Sequence, residues 1–579
     1  EQEVKTDLYD SLVPEEIIKR PSVETSLHNA INYAYVIHTH PPLVNGMMCS
    51  QNAREKTEEL FGDEALFVPY TDPGYVLFKE VEKGIKQYRN ANNEDPKIIF
   101  LENHGVFVSS NDPGEIKELY SKIESRLQQE VEPLNMKNLD IPENITRLMP
   151  AIRMMLSDQQ LKTLKIRNNT LIQSYLENEE QYKKVSLPFT PDMIVYCKSQ
   201  YLYIKPQDKL EDTLKDIQKS IADFRSRNQF DPHVILIKGV GVIAAGDNAG
   251  SAETILDVYE DLLKVSACAE HFGGPRPMND EQIAFIDNWE VENYRRKMAQ
   301  GSGSQNKYTH RIAIVTGGSQ GFGEGIAEHL FDQGINLVIA DIKEEKGKKV
   351  IQRLHEKKTK NRAVFVNTDI SDDNSIKDLV YETVKNFGGL DVLVSNAGIL
   401  KAGGLDEMDP KTFDLMTRIN YMGYFLCARH AAGIMKTQSE WNPDFYMDII
   451  QINSKSGLKG SKKNFAYAGA KFGGVGLTQS FALELMPHRI KVNSICPGNF
   501  FEGPLWSDPE TGLFVQYLKA GKVPGAKSIE EVKKHYESQV PAGRGCRVED
   551  VMKAIYYVID QDYEAGQAIP VTGGQEMLK

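Results

Sequence analysis

The chain has 579 residues, with 68 Lys or Arg against 81 Asp or Glu, a formal net charge of −13. Hydrophobic residues make up 41%, charged residues 26%, and mean hydropathy is −0.42. This is a globular composition with chain enough for two or three domains, and it excludes a disordered or collagen-like protein. The acidic balance argues against nucleic acid and anionic membrane surfaces as partners. Six scattered cysteines exclude a disulfide framework. No apolar run nears the roughly 18 residues of a membrane helix, so a cytoplasmic protein with reduced thiols is expected.

In chain order, the first informative residues follow an opening Glu1, which in place of Met reads as a trimmed or processed start. Glu24 lies in Pro21-Ser-Val-Glu-Thr-Ser-Leu-His28. Ala34–Ile37 is a short β-like run leading into His38-Thr39-His40. On a strand, positions i and i+2 share a side, so two imidazoles there can chelate one divalent metal. His104, in the turn Glu102-Asn-His-Gly105, is the candidate third ligand. Three neutral imidazoles with an open position describe a catalytic zinc site, and Glu24 would be the base beside a metal-bound substrate. Taken singly, each histidine reads as an ordinary core or loop residue; the combination carries the metal reading.

Two stretches look alike. Lys97–Val108 reads KIIFLENHGVFV and His233–Ala244 reads HVILIKGVGVIA. Each predicts strand, glycine turn, strand, then an acidic helix (Glu115–Leu127 and Ala252–Val265). Aligned, His104 falls on Val240. Either the half is duplicated and its second copy is degenerate, or two buried αβ units merely look alike. Between them Met136–Gln160 reads as a polar, helical seam. A second seam, Gln300-Gly-Ser-Gly-Ser-Gln-Asn-Lys307, reads as a flexible linker. The expected parts are therefore 1–135, 136–300, a linker 301–307, and 308–579.

Glu24 with His28, the His-x-His-Pro turn, Val68-Pro-Tyr, Pro73-Gly74 and Asn103-His104-Gly105 resemble the class II aldolase/adducin family over about residues 21–130. The resemblance implies zinc on His38, His40 and His104, acting as a Lewis acid on a ketose, with Glu24 shuttling the proton of an enediolate. The loop from Glu24 to the histidines looks shorter than in the simple phosphate aldolases. The family's phosphate-binding loops also have no counterpart in the short stretch before Glu24. The expectation is that the chain continues upstream or that this domain no longer handles phosphate.

After the linker, strand and helix alternate, predicting a parallel sheet covered by helices. Thr316-Gly-Gly-Ser-Gln-Gly-Phe-Gly323 follows a strand and opens a helix, a turn suited to pyrophosphate. Asp341 ends the next strand, where a carboxylate accepts ribose hydroxyls and repels a 2′-phosphate, favouring NAD over NADP. Ser454 follows the strand Ile449–Ile452. Tyr467 and Lys471, at i and i+4, share a helix face, and an ammonium beside a phenol is expected to lower the phenol's pKa.

With Thr368-Asp369, Asn396-Ala-Gly398, Asn420, Pro497-Gly498 and Thr572-Gly573-Gly574, this ordered set resembles the short-chain dehydrogenase/reductase family over residues 308–579. The resemblance implies Tyr467 as general acid/base, Lys471 on the nicotinamide ribose, Ser454 on the substrate oxygen, and Asn420 holding the water of a proton relay. The implied cofactor contacts are Gly317, Ser319, Gln320, Gly321, Phe322, Gly323, Asp341, Asp369, Ile370, Asn396, Ala397, Gly398, Tyr467, Lys471, Pro497 and Gly498. Asn499-Phe-Phe-Glu-Gly503 departs from the family's usual threonine. The helix GFGEGIAEHL looks most like that of polyol dehydrogenases.

The expected fold is α/β, an aldolase-like αβ domain followed by a Rossmann doubly wound sheet. The order resembles bifunctional aldolase–dehydrogenase fusions of sugar catabolism, so the expected protein is a homo-oligomeric enzyme using NAD and Zn²⁺ on small sugars, sugar phosphates or aldehydes. Two other readings stay open: a polyol dehydrogenase with a non-catalytic aldolase-like assembly domain, and an adducin-like front half that only binds partners.

Overall fold

The computed structural model describes residues 2–13, 21–22, 24–158, 160–288, 306–519 and 521–577. The expected linker 301–307 lies outside these except for Asn306 and Lys307. Three sheets organise the chain. The first holds β1 (Tyr35–Thr39), β2 (Ala65–Val68), β3 (Ile98–Leu101) and β4 (Gly105–Ser110) in the order β1-β4-β3-β2. The second holds β5 (Thr163–Arg167), β6 (Leu202–Ile204), β7 (Val234–Ile237) and β8 (Gly241–Gly246) in the order β5-β8-β7-β6.

These sheets share strand order and the sense of each pairing: antiparallel, antiparallel, parallel. Register carries the likeness to single residues. Thr39 pairs with Val106 and His38 with Phe107; Arg167 pairs with Val242 and Ile166 with Ile243. Superposing Gly105 on Gly241 puts Ile166, Asn168 and Val240 where the first half has His38, His40 and His104.

The third sheet is parallel throughout. It holds β9 (Ile312–Thr316), β10 (Asn336–Asp341), β11 (Ala363–Asn367), β12 (Val392–Ser395), β13 (Met447–Ile452), β14 (Ile490–Pro497) and β15 (Ala568–Val571). The order is β11-β10-β9-β12-β13-β14-β15. Strands β9, β10, β12, β13 and β14 are buried along their whole length, as expected where helices cover both faces. Strand order reverses between β9 and β12, which opens a crevice at the strands' carboxyl ends.

The seam expected at Met136–Gln160 is not a polar spacer. Its helix Ile145–Met155 buries Ile145 and everything from Leu148 to Met155, Arg153 included. It lies against helices Asp373–Phe387 and Gly423–Trp441 of the third part. One apolar cluster runs through both, including Ile152, Leu164, Val384, Phe387, Ala431 and Met435. The polar residues that gave the stretch its average lie in its flanks. At the centre Arg153 donates to both Asp391 oxygens at 2.8 and 2.7 Å, and Nε donates to Lys162 O at 2.7 Å. Among the described residues, no helix is long and apolar enough to cross a membrane.

Candidate functional sites

The first candidate site sits at the end of β1. His38 lies on the strand, His40 just beyond it, and His104 in the turn between β3 and β4. The closeness of β1 to that turn depends on Gly105, because a Cβ there would collide with the His40 ring and Thr39 O. Asn103 takes the left-handed conformation (φ 53°) that the turn requires. The His38 ring also stacks on Phe107, with centroids 4.0 Å apart.

The three ligand atoms converge. His40 Nε2 lies 3.0 Å from His38 Nε2, which lies 3.4 Å from His104 Nε2. All three fall within 4.8 Å of one another. A tetrahedral ion with Zn–N bonds of roughly 2.0–2.1 Å sets its ligands about 3.3 Å apart, so the cluster fits such an ion. Glu24 Oε1 completes the figure at 3.5 Å from His38 Nε2 and 3.4 Å from His104 Nε2. His38 Nδ1 donates to Val106 O at 3.1 Å, which leaves its Nε2 lone pair facing the cluster. Burial holds His104 below the ordinary imidazole range, favouring the neutral ring a metal ligand needs.

One contributor has no local sequence signal. His40 Nδ1 donates to Asp192 Oδ2 at 2.8 Å, and Asp192 belongs to the second half. That half also grips the His104 turn: Asn103 Nδ2 donates to Phe189 O and Arg276 O, each at 3.0 Å, and Arg276 pairs with Glu102 at 2.5 Å.

The second candidate site lies at the β9/β12 crevice. Gly317 and Gly321 have φ of 64° and 63°, and a Cβ on Gly323 would collide with Gly317 O. Asn396 braces the turn, its Nδ2 donating to Thr316 O and Gly317 O at 3.0 and 3.1 Å, while Ala397 N donates to Thr316 Oγ1 at 3.1 Å. Gly398 lies against Asn420 Oδ1. Ser319 Oγ is buried without a partner at this turn, and that orphan hydroxyl fits a phosphate ligand.

Asp341 caps the turn, accepting from Ser319 N at 3.1 Å and Lys343 N at 2.9 Å. Lys343 and Lys346 both reach Gln320 Oε1, at 2.9 and 3.1 Å, a basic pair the sequence reading did not single out. Asp369 Oδ1 accepts from Ser371 N and Oγ, and Ile370 is buried beside it. On the far side Gly498 N donates to Val571 O at 2.9 Å. Phe500, in the segment that departs from the family, stacks on Phe322 at 4.4 Å.

Asn420 lies in a π-helical turn, Arg418–Met422, a distortion that often marks functional positions. Its side chain is fixed by Ile399 N, Ile399 O and Met416 O. Ser454 begins the turn after β13, and Tyr467 and Lys471 lie on the helix Phe465–Leu485. Lys471 Nζ donates to Ile452 O at 3.0 Å and sits 5.6 Å from the Tyr467 ring centroid.

The expected lowering of the phenol is not what this arrangement produces. Burial pushes Tyr467 up to about 12 against a hydrogen bond from Ser454. Burial likewise pushes Lys471 down to about 8, so the ammonium is itself disfavoured.

Three family models match successive parts of the chain. The family model "short chain dehydrogenase" matches residues 311–505. "Class II Aldolase and Adducin N-terminal domain" matches 1–131, and "Aldolase class II, second domain" matches 143–295. The aldolase likeness therefore extends beyond 21–130 and takes in the half without histidine ligands. The uncharacterized oxidoreductase YuxG of Bacillus subtilis is 25% identical, over 96% of this chain and 83% of that protein. Sorbitol-6-phosphate 2-dehydrogenase of Escherichia coli is 36% identical, over 46% of this chain and 100% of that protein. The solved sorbitol-6-phosphate 2-dehydrogenase SrlD from Erwinia amylovora, 36% identical, covers 46% of this chain and 100% of its own, with a TM-score of 0.43.

Proposed function

The chain belongs to the short-chain dehydrogenases through its C-terminal domain and to the class II aldolases through its front half, and on that premise we propose a bifunctional enzyme of carbohydrate catabolism. The front site cleaves the carbon–carbon bond of a ketose or ketose phosphate. The rear site exchanges hydride between NAD and a hydroxyaldehyde, alcohol or polyol. The observation that carries the aldolase reading is the convergence of three imidazole Nε2 atoms with Glu24 Oε1 within 3.5 Å of two of them.

His38, His40 and His104 would hold a divalent metal, by preference zinc, which would supply Lewis acidity to the ketose. Glu24, 3.4–3.5 Å from two of those ligand atoms, moves the proton at the carbon released when the bond breaks. At the rear site NAD supplies the hydride acceptor. The glycine turn would hold its pyrophosphate, Asp341 its adenosine ribose and Lys471 its nicotinamide ribose. Ser454 orients the substrate oxygen, Tyr467 takes its proton, and Asn420 positions a water that connects the site to solvent.

Likeness of the C-terminal part, 36% identical, to the whole of a sorbitol-6-phosphate 2-dehydrogenase favours a phosphorylated or free sugar alcohol or aldehyde at the rear site. The same observation supports the second reading, a polyol dehydrogenase whose front half serves assembly. The protein is further proposed to be a cytoplasmic homo-oligomer. Metal analysis of the purified chain, with a screen of ketose phosphates and polyols plus NAD, separates the readings. Stoichiometric metal and ketose cleavage support bifunctionality, and a metal-free protein that turns over polyols overturns it.

A further inference from the structure

The second half has Ile166, Asn168 and Val240 at the positions that match the three histidines in register, and it packs on the His104 turn through Phe189 and Arg276. One side chain from it reaches a candidate ligand. Asp192, in the first turn of the helix Pro191–Cys197, accepts from His40 Nδ1 at 2.8 Å. A carboxylate can only accept there, so the ring proton stays on Nδ1 and the Nε2 lone pair faces the cluster, 3.0 Å from His38 Nε2. Val106 O does the same for His38 from within the first half.

Resting on the metal-site reading above, we propose that Asp192 is a positioning residue for the metal, supplied by the second half to fix the tautomer and aim of His40. The second half thereby contributes to a site whose three histidines all lie in the first half. Carboxylates that orient a metal-bound imidazole also raise its basicity, and losing one typically weakens metal binding about 10–100-fold.

A purely structural role predicts something else. The Asp192 side chain is 41% exposed, and an ion pair that open to solvent adds little to folding. Removing it should therefore leave the melting of the metal-stripped protein unchanged while weakening the metal.

The test uses the full chain. Zinc affinity is measured by competition with a chromophoric chelator, and the visible spectrum of the Co²⁺-loaded protein is recorded for wild type, Asp192→Ala and Asp192→Asn. The expected result is one zinc per wild-type chain, a loss of about 10–100-fold for Asp192→Ala with an altered Co²⁺ spectrum, and a smaller loss for Asp192→Asn, which keeps the acceptor without the charge. Should the alanine variant fail to fold, the asparagine variant carries the comparison. If both variants bind zinc as tightly as wild type, or if the metal-free Asp192→Asn protein melts early, the positioning role is overturned. If the wild type binds no zinc, the metal-site reading itself fails, and Asp192 with it.

Discussion

Arg153→Met tests whether the second and third parts form one core. Both side chains of the Arg153–Asp391 pair are 0% exposed. The Asp391 carboxylate accepts four bonds, two from Arg153 at 2.7 and 2.8 Å, one from Ile312 N at 2.9 Å and one from Gln438 Nε2 at 3.0 Å. Methionine fills the volume but removes two charge-assisted bonds and, among the described residues, the countercharge paired with the carboxylate. Breaking a buried pair from one side costs about 3–5 kcal/mol, a large part of the roughly 5–15 kcal/mol that holds a domain together. Adding Asp391→Asn neutralises the stranded charge, so the double variant should be less destabilised than Arg153→Met alone. Urea unfolding followed by fluorescence suits the test, because Trp441 packs against this shared core. If Arg153→Met unfolds within about 0.5 kcal/mol of wild type, as an ordinary surface change does, the two parts do not depend on each other.

Tyr467→Phe removes the proposed general acid/base at the rear site and should slow NAD-dependent turnover roughly 10²–10⁴-fold; near wild-type kcat would overturn the assignment. Asp341→Ala should narrow a preference for NAD over NADP, since it removes the like charge facing a 2′-phosphate and leaves Lys343 and Lys346 beside Gln320 to attract one. Equal use of the two cofactors by wild type would show that Asp341 does not hold the ribose. His38→Ala should release the metal and abolish carbon–carbon cleavage, with NAD-dependent turnover persisting in the same sample, because the core shared with the dehydrogenase belongs to the second half and not to the sheet carrying His38. Metal content by elemental analysis and the two activities measured side by side decide it.

The rear site was legible because its chemistry is local. Gly317–Gly323 follows β9, Asp341 ends β10 and Ser454 follows β13, while Tyr467 and Lys471 share one helix, so each piece carries its own short-range pattern. His38 and His40 were legible for the same reason, and His104 through the glycine after it. What escaped depends on pairings between distant segments. Nothing near Asp192 hints at His40, 152 residues away, and nothing near Arg153 hints at Asp391, 238 residues away. Helix Ile145–Met155 was read as helical but obscured by its polar flanks: averaged over Met136–Gln160 it reads as a polar seam, whereas the helix alone is apolar nearly all round, the mark of a buried one. The Tyr467–Lys471 spacing placed both groups correctly on one helix, but spacing carries no information on burial, and burial is what drives the phenol up and the ammonium down.

These long-range contacts give the second half two separate tasks. On one side Asp192, Phe189 and Arg276 meet the histidine turn of the first half. On the other, Arg153 and the buried face of its helix enter the core of the dehydrogenase. A domain kept only as a spacer has no reason to bury an arginine against a neighbour's aspartate, since an apolar contact of equal volume is often as stable or more so. What the ion pair adds is a fixed register: Arg153 and Asp391 can meet in one docking geometry, while an apolar face can slide. Through the second half, then, the first half's histidine cluster is tied in one register to the dehydrogenase core.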